Sequence, residues 1–346
     1  MKAMMLTGIR SMEMRETPQL EIEKDTDVLL KVAAVGVCGT DMHYYKEGRI
    51  GGQVVQYPFT IGHECSAVVE QVGGKVTRVK PGDLVTVDPT IACGKCDQCL
   101  IGRYNTCRDL LFLGCPGSMD GCLSEYIVMP EDCCFPARRQ TSLEQIAYAE
   151  PLSIAVYAVK QSVPLENAKV GILGVGPIGL NVLLSAFDQG AAEVHVTDKL
   201  DYRLDVALSM GANWVGNPDK IDIVSEITAM QPLQLDVVFE CCGDQEAVDQ
   251  AVQLLKPGGQ LIIVGSLKVE RVSFDLDLLR WKELTVKKTR RQSGCTQAAL
   301  DLLESEKINT DVLISHRFAF EQAKAAFDLV DRYADGVLKA MIIFQD

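Results

Sequence analysis

A thiol, an imidazole and two carboxylates stand along the first 150 residues at Cys38, His63, Glu64 and Glu150. These side-chain types hold zinc while leaving one position open for a substrate oxygen. Gly62 precedes the His63-Glu64 pair and lets the backbone turn tightly there. A metal so held polarises an alcohol oxygen and lowers its pKa. Thr40 and His43, three residues apart, supply a hydroxyl and an imidazole that could pass the released proton outward. The plainer reading is that they only tie down a loop after a strand.

Four more cysteines follow as Cys93-x2-Cys96-x2-Cys99-x7-Cys107, in a loop containing Gly and Asp. Four thiolates at these spacings converge tetrahedrally on a structural zinc. An iron–sulfur cluster uses the same ligands, but the chain offers no electron-transfer partner for one. Cys65, Cys115, Cys122, Cys133, Cys134, Cys241, Cys242 and Cys295 read as small, mostly buried side chains. Thirteen cysteines, an odd and clustered set, do not resemble a secreted disulfide framework.

A third constellation, Gly174-Val-Gly176-Pro177-Ile178-Gly179, follows an apolar strand and opens a helix. Its glycines permit a tight turn, close approach of a pyrophosphate, and helix–strand contact. The helix N-terminus then turns unpaired N–H groups toward the phosphates. Asp198 ends the next strand, where a carboxylate bonds the adenosine ribose and repels a 2′-phosphate, so NAD is favoured over NADP. Lys199 and Arg203 nearby weigh toward NADP. Arg203, Val264 and Ser266 complete the candidate cofactor contacts.

The elements that must position these groups are of two kinds. Residues 1 to about 150 read as short strands, among them 27–35, 67–72 and 84–87, separated by Gly, Pro and Asp turns. Helical periodicity is nearly absent there, which predicts a barrel or twisted sandwich. Beyond Glu150-Pro151 apolar strands alternate with amphipathic helices, the rhythm of a parallel sheet with crossover helices. A last segment from about residue 291 is too small to fold alone and is expected to pack back on the first domain. The expectation is an α/β protein whose catalytic domain, 1–151 with 291–346, carries an inserted nucleotide domain, 152–290. A length of 346 residues suits two domains. The net charge of −13 argues against a nucleic-acid or anionic-membrane surface. Without a membrane-spanning run or signal peptide, the chain reads as cytoplasmic.

With both motifs in place, the chain resembles the zinc-containing medium-chain dehydrogenase/reductase family over essentially its full length. It is most similar to the sorbitol/xylitol (polyol) dehydrogenase branch. The resemblance is carried by Cys38-Gly-Thr-Asp-Met-His-Tyr-Tyr45, Gly48-Arg-Ile-Gly51, Gly62-His-Glu64, Glu150-Pro-Leu-Ser153 and the glycine turn. It implies a GroES-like β-rich domain, an inserted doubly wound Rossmann domain, and reversible NAD-linked oxidation of a secondary alcohol to a ketone. By position it implies Cys38, His63 and Glu64 as catalytic zinc ligands, with Glu150 bound directly or through water and Glu64 ranked ahead. Thr40 and His43 fall at the proton relay, Tyr44 in the substrate pocket, and Arg291 at a substrate-reaching arginine. The cysteine lobe falls at the structural zinc. The chain departs from the animal sorbitol enzymes where Arg290-Arg291-Gln292 replaces Phe-Arg-Tyr. Adjacent guanidiniums suit an anionic substrate, unless Arg290 faces away along a strand. Alternative substrates are a sugar acid, a sugar phosphate, a cyclitol, a vicinal diol or L-threonine. A different class of reading is a non-catalytic NAD- and zinc-binding redox sensor. Homodimers or homotetramers are expected, with Leu284 to Thr289 as a sheet edge open to pairing.

Overall fold

Strand Asp27–Gly36 organises the first part of the molecule, because nine of its ten residues are buried and its edges both find partners. Its continuous apolar run is that of a strand covered on both faces. One edge pairs antiparallel with Glu64–Val72, in a register that sets Gly36 opposite Glu64. The other edge takes Tyr126–Pro130 and then Ala340–Ile343 from the far end of the chain. Leu84–Val87, Cys134–Pro136 and His316–Ala319 complete a seven-stranded sheet. Leu30, Val32, Ala67, Val69, Val85 and Met129 form its core together with Phe320 and Phe327.

The structure is a computed structural model describing residues 1–266, 271–305 and 310–344. It divides into two compact units: Met1–Glu150 with Thr296–Asp346, and Pro151–Cys295. The second unit holds six parallel strands in the order Trp214–Gly216, Glu193–Thr197, Lys169–Leu173, Leu235–Glu240, Leu255–Ile263, Thr285–Lys288. Val170, Ile172, Val194, Val196, Val237 and Val238 are fully buried, as strands sandwiched between helices must be. The order reverses direction between Lys169–Leu173 and Leu235–Glu240, the switch point at which such sheets bind nucleotides. The whole is therefore α/β, with a β-rich unit and a doubly wound parallel sheet. Among the described residues no helix is long and apolar enough to cross a membrane.

Three local expectations are corrected. Cys38 is followed by helix Gly39–Glu47 and not by a loop. Residues up to about 150 read as short strands, yet helix Leu143–Lys160 begins before that point and continues through Pro151. A helix-internal proline costs about 3 kcal/mol. Ile146, Tyr148, Leu152 and other fully buried neighbours outweigh it, at roughly 1.5–3 kcal/mol for each large apolar side chain. Strand Thr285–Lys288 ends before Arg290, and Arg291 is left-handed with φ 50°, so strand alternation does not orient the arginine pair.

Candidate functional site

The cysteine lobe is built by two short turns around helix Asp97–Leu100. Sγ–Sγ separations are 3.5 Å for Cys96–Cys99, 3.9 Å for Cys96–Cys107 and 4.0 Å for Cys93–Cys99. A tetrahedron with metal–sulfur bonds of ~2.3 Å has edges of about 3.8 Å, so the four thiols match a zinc cage. Backbone N–H groups of Arg108 and Cys99 bring the Cys96 thiol down to about 6. Those of Lys95 and Cys96 lower Cys93 as well. All thirteen cysteines are free thiols. Cys242, read from sequence with the buried set, is exposed.

Cys38, His63 and Glu64 present ligand atoms that all lie within 4.8 Å of one another. Their placement follows from the strands: Cys38 lies just past the end of Asp27–Gly36, and Glu64 starts the neighbouring strand. Cys38 also caps helix Gly39–Glu47, its sulfur accepting from Thr40 N at 3.4 Å. Burial pushes the Cys38 thiol up and Glu64 adds to this, while His63 opposes it. Burial would lower His63, yet Asp41 and Cys38 hold it well above its ordinary value. Its Nδ1 lies 3.4 Å from Asp41 Oδ1, which leaves Nε2 for a metal, the usual arrangement of a ligating histidine. Gly62, with φ 100°, sends its N–H to the same Asp41 oxygen at 3.4 Å. Across the cluster, Lys339 Nζ donates to Glu64 Oε1 at 2.9 Å and Oε2 at 2.6 Å.

Glu150 stands outside that triad of ligand atoms. It is 4% exposed, and burial raises its carboxyl to about 8; His63 opposes the shift while Glu64 and Asp88 add to it. A dication reverses both the Cys38 and the Glu150 shifts by holding thiol and carboxyl ionised. Sulfur, nitrogen and oxygen donors in one buried cluster suit zinc, so the residues fit the metal.

Thr40 and His43 occupy one face of helix Gly39–Glu47. His43 Nδ1 lies 3.5 Å from Glu47 Oε1 and the ring is one-third exposed. Tyr44 is 2% exposed, its hydroxyl donating to Gln53 Oε1 at 3.0 Å. Asp41 and Lys339 escaped the sequence reading. Asp41, three residues after a candidate ligand, carried a usable signal as a carboxylate partner for imidazole. Lys339 carried none, being 275 residues from Glu64.

In the second unit, Gly176 caps helix Pro177–Asp188 with proline at its first position. Gly174 has φ 89°, and a Cβ there would lie 2.6 Å from Cys242 Cβ. A Cβ on Gly179 would overlap the Gly174 carbonyl. The turn is therefore closed to side chains from both directions. Asp198 accepts from Val175 N at 2.8 Å and Leu200 N at 2.9 Å. Arg203 Nη1 lies 3.6 Å from Asp198 Oδ2. Val264 N donates to the Glu240 carbonyl at 2.8 Å, and Ser266 follows it, exposed.

Residues 24–139 match the alcohol dehydrogenase GroES-like domain, and residues 177–305 match the zinc-binding dehydrogenase domain. The chain is 34% identical over 343 residues to sorbitol dehydrogenase of Bacillus subtilis, covering 99% of this chain and 97% of that one. The chain belongs to the zinc-containing medium-chain dehydrogenase/reductase family. Within it, the chain falls on the polyol dehydrogenase branch, being also 35% identical over 331 residues to D-xylulose reductase A of Aspergillus niger (94% and 92% covered). A zinc-binding dehydrogenase of Sinorhizobium meliloti bound to NADP has the same fold, with a TM-score of 0.91 and 31% identity over 99% and 98% of the two chains. This medium-chain dehydrogenase is thus an alcohol dehydrogenase that uses zinc and a nicotinamide cofactor.

Proposed function

We propose that this dehydrogenase oxidises a secondary alcohol of a polyol or sugar alcohol to a ketone, reversibly, with NAD. The reading is carried by the convergence of Cys38, His63 and Glu64 on one buried point. Those three residues would hold the catalytic zinc, with Glu150 close enough to feel His63 and Glu64 electrostatically. Cys93, Cys96, Cys99 and Cys107 would hold a structural zinc. When bound, zinc supplies Lewis acidity toward the substrate hydroxyl, and NAD supplies the hydride acceptor.

The chain's own residues do the rest. Asp41 keeps His63 in one tautomer and orientation, so its ligating nitrogen is always presented. Thr40 accepts the substrate's hydroxyl proton by hydrogen bonding and His43, whose ring is one-third exposed, releases it to solvent. Gly174, Gly176, Pro177, Ile178 and Gly179 receive the pyrophosphate at the helix N-terminus. Asp198, with Arg203 and Lys199 at its side, takes the ribose hydroxyls and selects NAD; Val264 and Ser266 contact the same cofactor. Tyr44 and Arg291 serve the substrate. The β-rich unit is the catalytic domain and the doubly wound unit the NAD domain, in a cytoplasmic homodimer or homotetramer.

Cys38→Ser tests the assignment. The variant should lose one zinc and its turnover with polyols, while the cysteine lobe keeps its metal. Full activity in that variant rules out the proposed centre.

A further inference from the structure

Glu64 has a buried cationic partner of its own, Lys339. The ammonium of Lys339 is 3% exposed and has three protons and three acceptors: both oxygens of Glu64, and the Val37 carbonyl at 3.1 Å. Lys339 immediately precedes strand Ala340–Ile343, which pairs with Asp27–Gly36, so the sheet register fixes it beside the cluster. Gly36 makes the room, since a Cβ at that position would overlap Glu64 Oε2. The carboxylate is thus cleared on one side and anchored on the other.

The charges in this pocket can be counted. A Cys38 thiolate, Glu64, Glu150 and the buried Asp41 beside His63 bring four negative charges, and Lys339 brings one positive charge. With a dication the sum is minus one; without Lys339 it is minus two. A carboxylate whose two oxygens both accept from an ammonium is a weaker donor to a metal. We infer that Lys339 is a positioning residue that sets the charge of the catalytic metal cage, holding Glu64 in place while weakening its grip on the ion. The consequence is an ion that stays electrophilic toward a substrate oxygen and is not over-neutralised by the anionic side chains around it. This rests on Cys38, His63 and Glu64 being the catalytic metal site.

The test compares zinc release from the loaded full-length chain to a chromophoric chelator, with the cysteine-lobe zinc as internal reference. Lys339→Met removes the charge at similar length. It should slow release from the Cys38 site by on the order of tenfold or more, because a dication loses a close positive neighbour. It should also widen the melting-temperature gap between loaded and metal-stripped protein. Lys339→Arg keeps the charge and should release zinc within about threefold of the parent. If Lys339→Met does not accumulate, the Glu64→Gln background removes its unpaired carboxylate. There, adding Lys339→Met should again slow release relative to Glu64→Gln alone. Release from Lys339→Met that is unchanged or faster overturns the inference. A parent protein that retains only the lobe zinc instead overturns the functional reading beneath it.

Discussion

Replacing Asp41 by asparagine separates support of the metal from support of the fold. Asp41 is fully buried; Oδ1 faces His63 Nδ1 and Gly62 N, while Oδ2 has no hydrogen-bond partner among the described residues. Asparagine preserves shape and one acceptor but removes the charge that would strengthen His63 as a ligand. Loss of such a partner costs about 10–100-fold in metal affinity, or about 1.4–2.7 kcal/mol. The stripped protein responds differently. His63 can give up its proton when the carboxylate is gone, so no uncompensated charge stays buried. The melting temperature of the metal-loaded protein should therefore drop more than that of the stripped protein, narrowing the gap between them. Lys339→Met is expected to move that gap the opposite way. Competition against a chelator of known affinity, with the cysteine lobe as reference, gives the fold-change directly. An affinity within about twofold of the parent would refute the claim that Asp41 tunes His63.

Three further outcomes are expected. Cys96→Ser opens the four-sulfur cage, so metal analysis should find one zinc fewer per chain, with the Cys38 site still loaded; an unchanged zinc content would show that Cys96 is no ligand. Asp198→Ala removes the acceptor for Val175 N and Leu200 N and should cut the NAD over NADP preference by about tenfold, the worth of one hydrogen bond to a charged group. Cofactor titrations that leave the preference intact exclude Asp198 from the ribose site. His195 is buried, and desolvation lowers it, with Glu193 opposing and Lys169 adding to the shift. Below its unfolded value of about 6.5 the unfolded chain binds a proton that the folded chain refuses. Stability therefore falls as pH drops through 6.5 toward the lower folded value and is flat in this respect above it. Melting curves should show a shallower acid decline in His195→Gln than in the parent; parallel declines would remove His195 as the cause.

The sequence was most legible where chemistry is local. The spacing Cys93-x2-Cys96-x2-Cys99-x7-Cys107 gathers four sulfurs within one loop, so it could be read without knowing the fold. The glycine turn is equally local, since strand Lys169–Leu173, the turn and helix Pro177–Asp188 are contiguous. Strands such as Asp27–Gly36 and Glu193–Thr197 announced themselves by apolar runs between turn residues. Legibility failed where tertiary burial overrides a local rule, as at Pro151 inside Leu143–Lys160. It failed too at Gly39–Glu47, whose mixed polar pattern carries little helical signal although Cys38 caps it. Lys339 was hidden for a topological reason: only the pairing of Ala340–Ile343 with Asp27–Gly36 brings it to Glu64. Long-range register of that kind has no signature in a single sequence.

The most direct measurement of the central claim is NAD reduction by the purified chain across neutral polyols, aldonates, sugar phosphates, inositols and L-threonine, with zinc determined on the same sample. The account predicts turnover on neutral polyols, one zinc in the cysteine lobe, a second at Cys38-His63-Glu64, and loss of turnover when only the second is stripped. Turnover that persists after the Cys38 site is emptied, or none with any alcohol when both zincs and NAD are bound, would contradict it.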